Sequence, residues 1–343
     1  MKLSKFSILI LLIAGFSYCS KNSSSDSSNP APFNLSIIAT VSTDSSGNVT
    51  FKSTATDAVS FDYDFGNGVV QTVPSGTVVY KYPVSGTYNV NVVAKSAAGL
   101  TVSKTIQVAV ALPLSLVWSD EFSNAGSPDA AKWGYDIGTG GNGWGNNELE
   151  YYTARTNNAL VSNGTLKITA VKENFNGSSY TSARLLSNNK FSFTYGKIEV
   201  RAKLPAGAGA WPAIWMLGSN FTTSPWPSCG EIDIMEQRGS QPEKIYSTLH
   251  YPGHSGANGD GNTTTVSNTT SEFHRYAAEW TSASIKFMVD DALFYTFNNG
   301  SSLPFNKNFF IILNLAVGGN FGGAVDPSFK SAAMEVDYVR VYQ

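Results

Sequence analysis

From Gly196 to Leu204 apolar and charged residues alternate without a break over nine positions. A period of two sends Ile198, Val200, Ala202 and Leu204 to one face and Lys197, Glu199, Arg201 and Lys203 to the other. The segment therefore predicts a half-exposed strand. Glu335 to Tyr342 alternates again, and Ser284 to Phe297 reads as a hairpin turning at Asp290-Asp291. Phe309 to Val317 is a nearly continuous apolar run, interrupted by Asn314, as in a strand buried on both faces. Residues 113–343 carry hardly any helical periodicity, so this unit of 231 positions predicts an all-β fold, two sheets packed as a jelly-roll sandwich. The fold alone fixes no function, since lectins and hydrolases both use it.

Charged residues are 14% of the chain, 23 basic against 25 acidic, which leaves no electrostatic footprint for nucleic acid. With two cysteines and three histidines, a disulfide framework is excluded and little is left for a zinc site. His250 and His254 are split by Pro252-Gly253, so no zinc pair on a helical face is expected.

At the start of the chain two lysines precede Phe6 to Tyr18, thirteen almost wholly apolar residues. That is too short for ~30 Å of hydrocarbon, so residues 1–18 predict an export signal. Cys19 follows, and six of the eleven residues from Ser20 to Pro30 are serine. This beginning resembles a bacterial lipoprotein signal, which implies a lipid on Cys19 and attachment at the outer membrane or cell surface. The alternative is simple secretion. Residues 19–31 predict a flexible linker, and Cys229 is then left as a free, packed thiol.

Between residues 32 and 112 the chain reads as short strands with turn signals. Phe61-Asp62-Tyr63-Asp64-Phe65 is apolar at every second position before Gly66-Asn67-Gly68, and Tyr82-Pro83-Val84-Ser85-Gly86 leads into another strand. These pieces resemble the polycystic-kidney-disease-type repeat, with Tyr63 and Asn67 where that family usually has Trp and Asp. The resemblance implies an immunoglobulin-like sandwich of seven strands, a stalk rather than a glycan binder. Ala111 to Ser115, with Pro113, marks the boundary with the large domain of residues 113–343.

The chemistry concentrates in Gly230-Glu231-Ile232-Asp233-Ile234-Met235-Glu236-Gln237. Ile232 and Ile234 point into a core, while Glu231 and Asp233 point the other way. Strict alternation would bury Glu236, and an unpaired buried carboxylate costs several kcal/mol. A bulge at Ile234-Met235 restores Glu236 to the acidic face. The two glutamates are then ~13 Å apart along the strand, and side chains leaning inward bring the carboxyls to ~5 Å. That is the separation of a retaining glycosidase. Asp233 lies between them, and like charge nearby keeps one member of the set protonated.

Trp211 and Trp215 stand four residues apart on one side of a strand, where indoles suit the C–H faces of sugar rings. Trp144, Trp226 and Trp280 are further candidates, and Asn147-Glu148 follows a Gly-rich stretch from Gly138 to Gly145.

Residues 113–343 resemble glycoside hydrolase family sixteen, in its bacterial laminarinase group. The matching pieces are Trp118-Ser119-Asp120-Glu121-Phe122, Asn146 to Tyr152, Ser182-Ala183-Arg184-Leu185, Tyr195 to Glu199, Trp211 to Trp215, Glu231 to Glu236, Ser247 to His250 and Glu335 to Tyr342. The resemblance implies a concanavalin-like jelly roll and a monomer acting on β-glucan. It implies Glu231 as nucleophile, Asp233 as its helper and Glu236 as acid/base. Asn147, Arg184, Trp211, Trp215 and His250 match positions that line the sugar subsites, and many relatives have Gln where Glu150 stands. It implies no cofactor for catalysis and a structural Ca2+ held by the side chain of Asp337 with backbone oxygens near Glu121 and Gly164. Lichenases and xyloglucan enzymes of the family typically lack the residue Met235 supplies, and sulphated galactans call for more Lys or Arg near the motifs. Endo-hydrolysis of β-1,3-glucan, with tolerance of mixed β-1,3/1,4 linkage, is the reading that follows. Hydrolysis of agarose or carrageenan, or a non-catalytic lectin, are the alternatives.

Overall fold

The computed structural model describes residues 30–343, so the export-signal and Cys19 expectations lie outside the described residues. The chain divides into two compact units between Ala111 and Leu112.

In the first unit seven antiparallel strands form two sheets. Phe33–Val41, Asn48–Thr56 and Thr77–Lys81 make one. Val70–Val73, Ser60–Asp64, Gly86–Lys95 and Thr101–Val110 make the other. Phe51, Tyr63, Phe65 and Tyr82 are fully buried. Tyr63 uses the hydroxyl that distinguishes it from Trp or Phe: it donates to Gly76 O at 2.7 Å and shares a 2.6 Å bond with Ser53 Oγ. The turn at Gly66 needs glycine, because φ is +76° and a Cβ would lie 2.6 Å from Asn89 O.

The second unit packs a ten-stranded sheet on a seven-stranded one. Leu166, Ile198, Val200, Ile214, Ile232, Leu313 and Val336 belong to the core they enclose. The hairpin falls where the sequence puts it, between Ser284–Val289 and Ala292–Asn298, with Asp290 and Asp291 at φ 49° and 67°. A two-residue turn whose twist matches its strands requires such angles, and aspartate tolerates them. Gly196–Lys203 is a strand, but its charged face is more covered than expected. It lies inside the sheet, between His274–Trp280 and Ser331–Tyr342. Glu199 is accordingly buried, accepting from the Tyr338 hydroxyl at 2.7 Å and pairing with Lys197 at 3.0 Å.

The seven-stranded sheet runs Asp260–Thr265, Lys244–His250, Glu231–Gln237, Ala210–Gly218, Phe309–Val317, Arg184–Leu186, Gly134–Asp136. All nine residues of Phe309–Val317 are buried, as the apolar run predicts. Ile311, Leu313, Leu315 and Val317 join the core, which turns Asn314 to the opposite face.

Candidate active site

Antiparallel pairing lays side chains out in rows across that outer face. One row reads Asp136, Arg184, Asn314, Ala213, Glu236, Tyr246, Thr263. A second reads Trp215, Asp233, Thr248, Gly261, and a third Leu217, Glu231, His250. All of these except Asp136 line one cleft of about 1100 Å³.

The three acids share the cleft because the strand is bulged. Ile214 pairs with Met235 and Trp215 with Asp233, so Ile234 is skipped. On the other side Asp233 and Glu236 face Thr248 and Tyr246, so two residues, Ile234 and Met235, stand against one, Ser247. The bulge is the one predicted at Ile234-Met235. Both of those side chains enter the core, and Glu236 returns to the cleft. Ser247 Oγ donates to Ile234 O at 2.6 Å, satisfying a carbonyl at the irregularity.

Burial dominates the electrostatics. It pushes Asp233 well above the usual carboxylate range. Burial, then repulsion from Asp233, does the same to Glu231, with His250 and Arg184 opposing. Glu236 is pushed up to about 8 by burial and Asp233, against the pull of Trp211, His250 and Arg238. Trp211 Nε1 donates to Glu236 Oε1 at 2.9 Å. His250 Nε2 lies 3.2 Å from Asp233 Oδ2 and 3.7 Å from Glu231 Oε1. The chain can pass this close to the imidazole because Gly259 has no side chain: a Cβ there would sit 2.6 Å from His250 Cε1.

Away from the acids the cleft is aromatic. The Arg184 guanidinium is 4.7 Å from the Trp144 ring and 4.8 Å from the Trp215 ring, and its Nε is 3.0 Å from Asp136. Trp215 Nε1 donates to Asn314 Oδ1 at 2.7 Å, Asn314 Nδ2 to the Tyr152 hydroxyl at 3.0 Å, and that hydroxyl to Glu148 Oε2 at 3.0 Å. Behind Glu148 sits fully buried Glu150, which accepts from the Val317 N–H at 2.6 Å and is raised by burial and by Glu148.

Glu231, Asp233, Glu236, Arg184, Trp211, Trp215 and His250 thus converge, and Trp144 and Trp226 join them on the lining. Two of the expected residues are not among those that line the cleft. Asn147 is exposed and bonds Asn320 at 2.9 Å, while its neighbour Asn146 lines the cleft, because the Gly-rich segment turns through positive φ at Trp144, Gly145 and Asn147. Trp280 is core, 1% exposed, with Nε1 bonded to Phe305 O. Sequence reasoning missed Asn314 and Tyr152 as supports of Trp215. The signal for Asn314 was there, one amide in nine otherwise apolar positions. Cys229 is a buried free thiol, pushed up to about 11 by burial.

Asp337, Glu121 and Gly164, the residues that the resemblance implies for calcium, are on or next to strands of the ten-stranded sheet. Leu166 pairs with Val336 and Asp120 with Val339, so Gly164 and Glu121 stand just beyond the ends of the two strands that flank the one carrying Asp337. Asp337 Oδ2 accepts from Arg201 Nη1 at 2.5 Å, and the Glu121 carboxylate holds Arg340 at 2.8 and 3.0 Å.

Buried Asp233 and half-buried Glu231 and Glu236, set on either side of a bulge, open on an indole-lined cleft: this is the arrangement of a carbohydrate hydrolase. The chain belongs to the Glycosyl hydrolases family 16, whose profile matches residues 146–340, and a PKD domain profile matches residues 34–110. A "Beta-glucanase" of Rhodothermus marinus is 47% identical over 244 residues, covering 66% of this chain and 85% of that protein. The solved laminarinase of the same organism superposes with a TM-score of 0.65 at 46% identity, over 67% of this chain and 98% of that one. A laminarinase from Flavobacterium sp. UMI-01 gives 0.63 at 42%, over 67% and 100%.

Proposed function

We propose that this protein is a retaining endo-hydrolase of β-1,3-glucan, with tolerance of mixed β-1,3/1,4 linkage. The carrying observation is the bulged strand, which sets Glu231, Asp233 and Glu236 on one wall of an aromatic cleft. Similarity to laminarinases supports the substrate. The lining supports a neutral polymer: its fixed cations are Arg184 and Arg238, against Glu148 and the three acids, which disfavours sulphated galactans.

In the mechanism Glu231 attacks the anomeric carbon while Glu236 protonates the departing oxygen; spacing does not order the pair, and the order follows the family motif. Near pH 7 Glu236 still holds its proton, as a group at about 8 does. Glu231 must be a carboxylate to attack, and His250 and Arg184 favour that form against the burial and the Asp233 charge that raise it. The covalent glycosyl-enzyme forms, the aglycone leaves, and Glu236, now a carboxylate, takes a proton from the incoming water. Asp233 orients Glu231 and keeps Glu236 protonated before the first step. Trp211 and Trp215 offer the sugar its stacking faces, and Arg184 and His250 hydrogen-bond to hydroxyls.

The test is the anomer released first from laminarin, read by NMR before mutarotation. A β-anomer is expected, and an α-anomer would overturn double displacement. Sizing the products from laminarin, lichenan, agarose and carrageenan tests the substrate.

Three further parts belong to this reading. The protein acts as a monomer. The side chain of Asp337 and backbone oxygens near Glu121 and Gly164 would hold a calcium ion, which would stabilise the fold and take no part in the chemistry. The chain is exported and carries a lipid on Cys19, with residues 32–112 as the stalk. Mass spectrometry of the mature N-terminus tests that: an unmodified N-terminus beyond Cys19 would mean plain secretion.

A further inference from the structure

Glu231, Asp233 and His250 each bring one potential ligand atom within 4.8 Å of the others. His250 Nε2 is 3.2 Å from the aspartate oxygen and 3.7 Å from the glutamate oxygen. A tetrahedral ion with bonds of 2.0–2.1 Å holds its ligand atoms about 3.3–3.4 Å apart. Two of the three edges are therefore near the right length, and the third closes by rotation of the flexible Glu231 side chain. A second observation points the same way. Asp233 is 4% exposed, and among the described residues its Oδ2 makes no hydrogen bond, its nearest charged neighbour being His250 Nε2. Buried polar atoms without a partner are rare and mark places where something else binds.

We propose that Glu231, Asp233 and His250 form a binding site for a transition-metal dication of the zinc class, whose occupancy switches the hydrolase off. Imidazole and carboxylate suit zinc and copper, whereas magnesium and calcium prefer all-oxygen shells. Three protein ligands leave a fourth position facing the cleft, so the ion is reachable by solvent and chelators. Bound there, it holds the oxygen with which Glu231 would attack and stands where the sugar must sit. Inhibition is then competitive with glucan and reversible. The site is not built for a resident metal, because His250 Nδ1 is buried without a partner. Metal-bound histidines usually have that nitrogen hydrogen-bonded, and its absence weakens binding about 10–100-fold.

The binding claim stands without the hydrolase reading; the inhibition claim rests on it. The experiment titrates the full chain with Zn2+ by calorimetry and with Co2+ by visible absorption, in which a tetrahedral ion gives an intense band. One ion per chain is expected, with Mg2+ and Ca2+ producing neither the band nor competition for it. His250→Ala should weaken Zn2+ binding about tenfold or more. His254→Ala and His274→Ala, which change the other two histidines, should not. Equal Zn2+ affinity in His250→Ala and wild type would overturn the site. Should His250→Ala fail to fold, the wild type decides alone: saturating laminari-oligosaccharide must displace Co2+ and abolish the band. A band that persists under oligosaccharide puts the ion elsewhere and overturns the proposal. Binding that passes these tests while no glucan is hydrolysed would retain the site and remove the hydrolase reading.

Discussion

Trp211 Nε1 donates a 2.9 Å hydrogen bond to Glu236 Oε1, so the residue proposed as a sugar platform also sets the acidity of the residue proposed as acid/base. The bond favours the carboxylate and lowers Glu236 from where burial and Asp233 would put it, leaving it at about 8. Activity should therefore fall on the alkaline side near that pH, as Glu236 loses the proton it must donate. Trp211→Phe removes the lowering contact, so the alkaline limb of kcat/KM should move to higher pH while its maximum drops. An unmoved limb would show that Glu236 does not govern it.

Glu231→Ala should be nearly inactive on every substrate, with azide restoring a product of inverted configuration. Glu236→Ala should spare the first step when the leaving group is an activated phenol, which needs no protonation. Comparing aryl glycosides with laminarin for the two variants checks the assignment. Equal losses on both substrates for Glu236→Ala would count against it.

Glu150 gives a stability prediction with a definite sign. Its folded-state pKa lies above the unfolded value, so the native state binds more protons between the two. Stability is then fully present below the unfolded pKa of ~4.3 and falls as pH rises through the folded one. Glu150→Gln mimics the neutral acid and keeps an acceptor for the Val317 N–H. Thermal melts should match wild type near pH 4 and exceed it at alkaline pH. Parallel pH profiles would mean that Glu150 ionises freely.

Asn314→Ala strands the Trp215 indole N–H and deprives the Tyr152 hydroxyl of the donor it accepts from. Each buried group left unpaired costs about 1–3 kcal/mol, or about 2–4 °C of Tm per kcal/mol in a domain of this size. With the indole no longer held, KM should rise more than kcat falls. A lowered Tm at unchanged KM would make Asn314 a structural residue only.

For calcium the expected result is a chelator-induced fall in Tm that Asp337→Ala reproduces and that chelator does not deepen, at unchanged kcat. Arg201 already bonds Asp337, so the variant alone costs some stability. The chelator response of the variant, rather than its Tm, is the test.

The sequence by itself determined the strands, because a period of two and the Asp290-Asp291 turn are local facts that backbone sterics convert directly into structure. It also determined the bulge, since Glu-x-Asp-x-x-Glu can keep three acids on one face only by inserting a residue. The tertiary structure decided which polar side chains meet. Asn314 lies in the seven-stranded sheet that carries Trp215 and Tyr152 in the ten-stranded one, 162 positions away in the chain, yet their side chains are 3.0 Å apart. No periodicity within one strand encodes the strand beside it. For the same reason the sequence did not separate Trp280, sunk in the core, from Trp144, held over Arg184 by a turn of positive φ. An indole satisfies a core and a sugar equally well, and only the packing of the two sheets settles which of them it faces.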